Sequence, residues 1–194
     1  LTGQVNDVGA YTRTNADRSY RLGLELEAAW QMLPWMSLQA NGTWSRNRIL
    51  NFTEFIDDFD NGGQQQRFLG ETPIAFSPEW LAAATLELKP IKGWSMQWRH
   101  KYVGPQFLDN TGLNNRRLDP FYTADFLTNY QLPLKGPLVC RLNLGVYNML
   151  NALYAPNGYT FSYFLNQELV TENYLYPQAG IHLMGGIQLR WEAQ

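Results

Sequence analysis

Cysteine, histidine, charge and long apolar runs are all scarce in this chain, and each shortage closes off a class of protein. The single cysteine, Cys140, can form no disulfide within the chain, so no disulfide framework holds the fold. Net charge is −2 and the basic residues are nowhere clustered. That excludes a nucleic-acid partner, whose phosphates call for a basic surface. No apolar stretch reaches the roughly 18 residues that a membrane-spanning helix requires. Charged residues make up 16% of the 194, against roughly 25% in an ordinary globular domain. The chain opens on Leu1 and carries no signal peptide, and we read it as a piece of something longer.

Aromatic residues are abundant instead, with 7 Trp and 11 Tyr, and they are interleaved with polar residues at a period of two. That period marks strands whose two faces meet different surroundings. The first such segment, Ser19 to Gln31, sets Tyr20, Leu22, Leu24, Leu26, Ala28 and Trp30 against Arg21, Gly23, Glu25, Glu27 and Ala29. Six more follow, near Met36 to Arg48, Trp80 to Leu88, Trp94 to Tyr102, Tyr122 to Tyr130, Leu138 to Val146 and Ile181 to Trp191. None of the seven apolar faces carries Asp, Glu, Lys or Arg. Such strict exclusion suits a lipid-facing surface, where a charge at the bilayer midplane costs about 2–4 kcal/mol.

Short connections alternate with long ones. Met32 to Trp35, Lys89 to Gly93 and Pro133 to Pro137 are tight, while Asn51 to Pro78, Gly104 to Pro120 and Asn148 to Pro177 are long. Outer-membrane barrels have short periplasmic turns and long outer loops. With the last strand ending in the periplasm, every short connection falls there. Aromatics then mark both water interfaces, with Tyr20, Trp44, Trp80, Tyr102 and Tyr122 outside and Trp30, Trp35, Trp94, Tyr130 and Trp191 inside. The polar face, including Glu25, Glu27, Gln39, Asn41, Arg99, Arg141 and Asn143, is expected to line a lumen. Seven strands is an odd count where bacterial barrels have an even one, so further strands are expected upstream. Gln4 to Arg13 is the competing eighth strand.

Several ordered stretches resemble the late barrel of TonB-dependent receptors. Tyr20-Arg-Leu-Gly-Leu-Glu-Leu-Glu27 is similar to that family's R-x-x-G-hydrophobic-E strand, and Leu118-Asp-Pro-Phe-Tyr-Thr-Ala-Asp125 to its strand opening on L-D and an aromatic pair. Leu144-Gly-Val-Tyr-Asn-Met-Leu-Asn-Ala-Leu-Tyr154 resembles the N-x-L-N-x-x-Y segment leaving the penultimate strand. Asn157 to Tyr163 and Tyr176 to Gly180 are similar to its last loop and the start of its final strand. The resemblance implies an all-β antiparallel transmembrane barrel of about 22 strands, of which residues 1–194 supply about seven C-terminal strands. It implies a location in the outer membrane of a Gram-negative bacterium, in contact with outer-membrane lipid. It also implies a plug and a TonB-contacting segment N-terminal to these residues, and TonB-driven import of a scarce small-molecule nutrient, first a ferric siderophore. The chain departs from the family where Trp191 is followed by Glu192-Ala-Gln194 instead of ending on an aromatic residue.

Chemistry is sparse. Glu25 and Glu27 share a face, as glycosidase carboxylates must, but pairing with Arg99, Arg141 or Arg190 across the lumen is the expected use. His100 and His182 lie on opposite faces and Cys140 on the apolar one, so no metal site is expected. Asp57, Asp58 and Asp60 could collect a hard cation; a solvated acidic loop is the preferred reading. No cofactor and no catalytic residue is expected. The candidate ligand contacts are the last loop's Tyr159, Phe161, Tyr163, Tyr174 and Tyr176, whose rings are suited to gripping an organic molecule. Two other classes fit less of the pattern: a small self-contained structural or adhesion barrel, and a soluble β-sandwich that binds carbohydrate.

Overall fold

The computed structural model describes Gln4 and residues 18–192. The elements run β1 (Arg18–Leu33), β2 (Met36–Asp58), β3 (Gln64–Pro73), β4 (Trp80–Leu88), β5 (Trp94–Val103) and β6 (Gln106–Phe107). After a 3-10 turn at Asn114–Arg116 come β7 (Arg117–Leu118), β8 (Phe121–Gln131), β9 (Leu138–Tyr147), β10 (Asn157–Leu165), β11 (Glu168–Tyr176) and β12 (His182–Trp191). No described helix is long and apolar enough to cross a membrane, which leaves strands free to do so. The candidate strand Gln4 to Arg13 lies, apart from Gln4, outside the described residues.

Seven strands form one curved sheet in the order β1-β2-β4-β5-β8-β9-β12, each antiparallel to its neighbours. They are the seven segments marked by alternation. Their register carries the apolar face unbroken from strand to strand. Trp30 opposes Leu38, Leu38 opposes Leu86, Leu86 opposes Trp98, Trp98 opposes Phe126, Phe126 opposes Val146, and Val146 opposes Leu183. A one-residue slip anywhere would turn that strand's leucines to the polar side. These side chains stay open to the surroundings: Leu24 is 58% exposed and Ile187 72%. So large an apolar surface is a liability in water and the ordinary outside of a protein in lipid.

Rows of rings cross the sheet near its ends. Trp44 opposes Trp80, with centroids 6.4 Å apart. Tyr102 opposes Tyr122, and at the other end Trp94 meets Tyr130 edge-on at 6.4 Å.

Two of the long connections differ from the expectation. Beyond the sheet, β2 runs on to Asp58 and turns back as β3, so Asn51 to Pro78 is largely a hairpin. A bulge separates the two halves of β2, with Asn51 at φ 60° and register shifts on either side of Phe52. Asn tolerates that left-handed geometry because its short polar side chain can bond locally. Asn148 to Pro177 likewise holds the hairpin β10–β11. It is closed by a two-residue turn in which Asn166 and Gln167 both have positive φ, the mirror-image turn that suits strand twist.

The two hairpins meet. Tyr163 and Phe164 pair in parallel with Asp57 and Asp58, and the amide of Phe59 donates to the Phe164 carbonyl at 3.0 Å. The Asp60 carboxylate accepts from the turn amides of Asn166 and Gln167 at 2.8 and 2.7 Å. A cap therefore bridges strands that are distant in the sheet.

Candidate ligand-binding site

The cap borders an open-sided cavity of about 400 Å³. The β2–β3 hairpin supplies Phe52, Glu54, Phe55 and Asp57 to its wall, and the segment before β4 adds Ala75 and Phe76. The connection between β5 and β8 adds Leu108, Asp109 and Arg116, and β10 adds Tyr159, Thr160 and Phe161. Apolar rings and a few charged groups converge there, as in organic-ligand sites.

Buried charges organise this site. Glu54 (5% exposed) accepts from Arg67 at 2.5 Å through one oxygen and from Arg116 through the other. Arg116, 2% exposed, also donates to Asp109 at 2.8 Å. Burial opposes the guanidinium charge, and the bonds to Glu54 and Asp109 outweigh it, so Arg116 is held above its ordinary value. The sequence expectation of a solvated acidic loop holds at the exposed tip, Phe59 to Gly63, and is corrected at Asp58. Glu54 and Asp58 are buried, because the strand places them under the cap with partners in reach. Asp58 accepts from the Gln65 side chain at 2.6 Å, from the Asn61 side chain and from the amides of Asp60 and Asn61. Those bonds hold its carboxyl at about 2. Gln64 donates to Asp57 at 2.7 Å. Among the described residues no group of side chains could hold a metal ion.

The five aromatic candidates divide. Tyr159 and Phe161 line the cavity; Tyr163, Tyr174 and Tyr176 do not. Tyr174 stacks on Tyr159 at 4.8 Å and Tyr176 tilts against it at 6.2 Å, so both pack on Tyr159 rather than on the cavity. Tyr163 packs on Phe161 and Phe59 and donates to Glu172 at 2.9 Å. Hydroxyl donation from Tyr174 and Tyr163 lowers the Glu172 carboxyl and raises both phenols.

The polar-face candidates share one side of the sheet. Glu27 opposes Asn41, Gln39 opposes Thr85, Thr85 opposes Arg99, Asn143 opposes Asn129, and Arg141 opposes Gln131; Glu25, two residues before Glu27, opposes Thr43. The expected pairing of Glu25 and Glu27 with arginines is corrected: no such ion pair occurs among the described residues. Arg99 donates to Gln97, Arg141 to Gln131 and Arg190 to Glu192, each nearer at hand than a glutamate several strands away. Sequence reasoning missed Arg116, Phe52 and Thr160. Arg116 sat unremarked in a long connection, and only the fold brings it to Glu54, 62 residues away.

Comparison with curated proteins gives no match. Among the solved structures that share the fold are two receptors. The siderophore receptor PiuA from Acinetobacter baumannii superposes with a TM-score of 0.65 at 12% identity, over 89% of this chain and 22% of its own. The ferric yersiniabactin uptake receptor FyuA from Yersinia pestis gives 0.57 at 20% identity, over 88% and 23%. The chain thus spans less than a quarter of the length of either. The family model described as "TonB dependent receptor-like, beta-barrel" matches residues 1–149. With a charge-free apolar face, aromatic rows and an outer cap on one antiparallel sheet, the chain belongs to the TonB-dependent receptor family, the β-barrel receptors of the Gram-negative outer membrane.

Proposed function

We propose that this chain is the C-terminal part of a barrel of about 22 strands that imports a scarce nutrient, with a ferric siderophore as the first candidate. The outer hairpins capture the nutrient. The polar face carrying Glu25, Glu27, Gln39, Asn41, Arg99, Arg141 and Asn143 lines the passage inward. A plug and a segment read by the TonB complex, both N-terminal to these residues, couple passage to energy from the inner membrane. The observation that carries this reading is the cavity at the outer end of the sheet, walled by Phe52, Phe55, Tyr159 and Phe161. The two solved receptors, named for a siderophore and for ferric yersiniabactin, support the choice of substrate class.

The test is uptake of radiolabelled ferric siderophores by cells carrying the full-length receptor. Tyr159→Ala with Phe161→Ala should weaken surface binding by about tenfold or more, the usual loss when an aromatic anchor is truncated. Cells without TonB should bind the ligand and fail to import it. Unchanged binding and uptake in the double variant would remove the cavity from the pathway.

A further inference from the structure

The apolar face of β2 ends at Trp44, and the next two residues in the same phase are Arg46 and Arg48. Register extends the line into β1. Leu24 opposes Trp44, Leu22 opposes Arg46, Tyr20 opposes Arg48, and Arg18 lies two residues further out. Directly opposed residues share a face of the sheet. The intervening residues fix the direction, since Asn47 and Ile49 are buried on the cap side while Arg46 is exposed. Three guanidinium groups therefore stand on the lipid-facing side, one step beyond the ring pair Trp44 and Trp80. Elsewhere the same outward lines reach Gly104 after Tyr102, Pro120 before Tyr122 and Ile181 before Leu183, none of them charged.

Position decides what these arginines meet. Aromatic girdles mark the level where hydrocarbon gives way to headgroups. An arginine just outside that row can lay its stem along apolar surface and keep its charge among polar groups. Two glutamates share the cluster. Arg48 donates to Glu79 at 2.7 Å and lies 3.7 Å from Glu71, while Arg46 donates to Glu71 at 2.9 Å. The Tyr20 hydroxyl also donates to Glu71, at 3.2 Å. Arg18 is exposed and joins no ion pair with another described residue. Three guanidinium groups against two carboxylates leave one positive charge over. The half-buried Arg48 holds both glutamates, and the exposed Arg46 and Arg18 face the surroundings. A guanidinium's fork of N–H donors matches the oxygens of a phosphate.

We propose that Arg18, Arg46 and Arg48 form a docking site on the outside of the barrel for a lipid with a phosphorylated headgroup, as the glycolipid of the Gram-negative outer leaflet is. A headgroup phosphate lies against Arg18 and Arg46, and the acyl chains run down the apolar face below Trp44. The occupant is a lipid because the cluster is continuous with the lipid-facing surface: a molecule that touches both must be anionic at one end and apolar at the other. The site is separate from the outer cavity and does not depend on what the receptor imports.

The test uses the full-length receptor in detergent, titrated with lipid A carrying both phosphates or with its dephosphorylated form, and weighed intact by native mass spectrometry. Phosphorylated lipid A should bind about tenfold or more tightly than the dephosphorylated lipid, and Arg18→Gln with Arg46→Gln should erase that preference. Glu71→Gln removes a negative charge and releases Arg46, so it should hold phosphorylated lipid A at least as well as the wild type. An ion-pair network that only braces the strands predicts otherwise, with Glu71→Gln as damaging as Arg46→Gln. Should the double variant fail to fold, Arg18→Gln alone breaks none of these ion pairs and should lower the preference by a smaller factor. Equal binding of the two lipids by the wild type, an unchanged preference in the arginine variants, or loss of phosphorylated lipid A in Glu71→Gln would overturn the proposal.

Discussion

Replacing Glu54 with glutamine should open the outer cap without unfolding the sheet. Glu54 is shared by two arginines, and the side chain of Arg116 is 3% exposed, so its charge has no water to fall back on. Removing one partner of a buried ion pair costs about 3–5 kcal/mol, mostly because the other charge is left uncompensated. Two features place this case at the low end. Asp109 still holds Arg116 at 2.8 Å, and the glutamine carbonyl can still accept one bond. Roughly 3 kcal/mol remains, about a hundredfold in the local opening equilibrium. The measurement is hydrogen exchange by mass spectrometry on the full-length receptor in micelles, read separately for residues 52–72 and 106–118 and for the sheet strands. Exchange should rise about a hundredfold in the first two windows and stay unchanged in β4 and β5. Glu71→Gln is the control. It removes an ion pair to Arg46 whose side chains are 51% and 41% exposed, and solvent screens such a pair. If Glu54→Gln exchanges no faster than Glu71→Gln, the buried cluster does not hold the cap.

Two further outcomes test other parts of the structure. The Asp58 carboxyl is lowered from 3.8 to about 2 by its hydrogen bonds. Its stabilisation is therefore complete above 3.8, declines as the unfolded group protonates first, and is gone below about 2. Protection at the β2–β3 tip should fall across that window, and Asp58→Asn should flatten the dependence there. The sheet faces can be separated with neighbouring residues, since Ala40 opposes Ala28 and Ala84 on the apolar side while Gln39 opposes Ala29 and Thr85 on the polar side. Ala40→Arg should cost about 2–4 kcal/mol in urea unfolding from lipid vesicles, and Gln39→Arg much less. Equal costs would mean that the faces are misassigned.

The spanning sheet was legible because lipid enforces a rule that sequence displays directly: alternate residues, over about 10 positions, carry no charge. Strand identity, register face and aromatic rows all follow from that exclusion. The outer hairpins obey no such rule. Past Asn51 the inward positions of β2 include Glu54 and Asp58 beside Ile56, so hydrophobic alternation dissolves even though the strand continues. In β3, the run Gln64-Gln-Gln-Arg67 has no period at all. The Tyr159, Phe161, Tyr163 alternation of β10 was visible, but on its own it reads equally as a cluster of loop aromatics. Arg116 is the extreme case, because its significance comes from Glu54 and Asp109, and nothing local announces the meeting.

The fold also divides the labour of stability between two solvents. In the sheet, large side chains face lipid, which takes the part that a core plays in a soluble protein, and backbone ladders supply the remaining order. Above the sheet the logic inverts. Among the described residues, those buried there include Glu54, Asp58, Thr72, Thr111 and Arg116 alongside Ile49, Ile56, Leu108 and Leu118, so charge pairing shares the work that apolar packing does elsewhere. A charge network is stiff while complete and opens sharply when one member is removed. Among the described residues these ion pairs join the outer half of β2 to β3 and to the connection between β5 and β8, so β4, β5, β8 and β9 take no part in them.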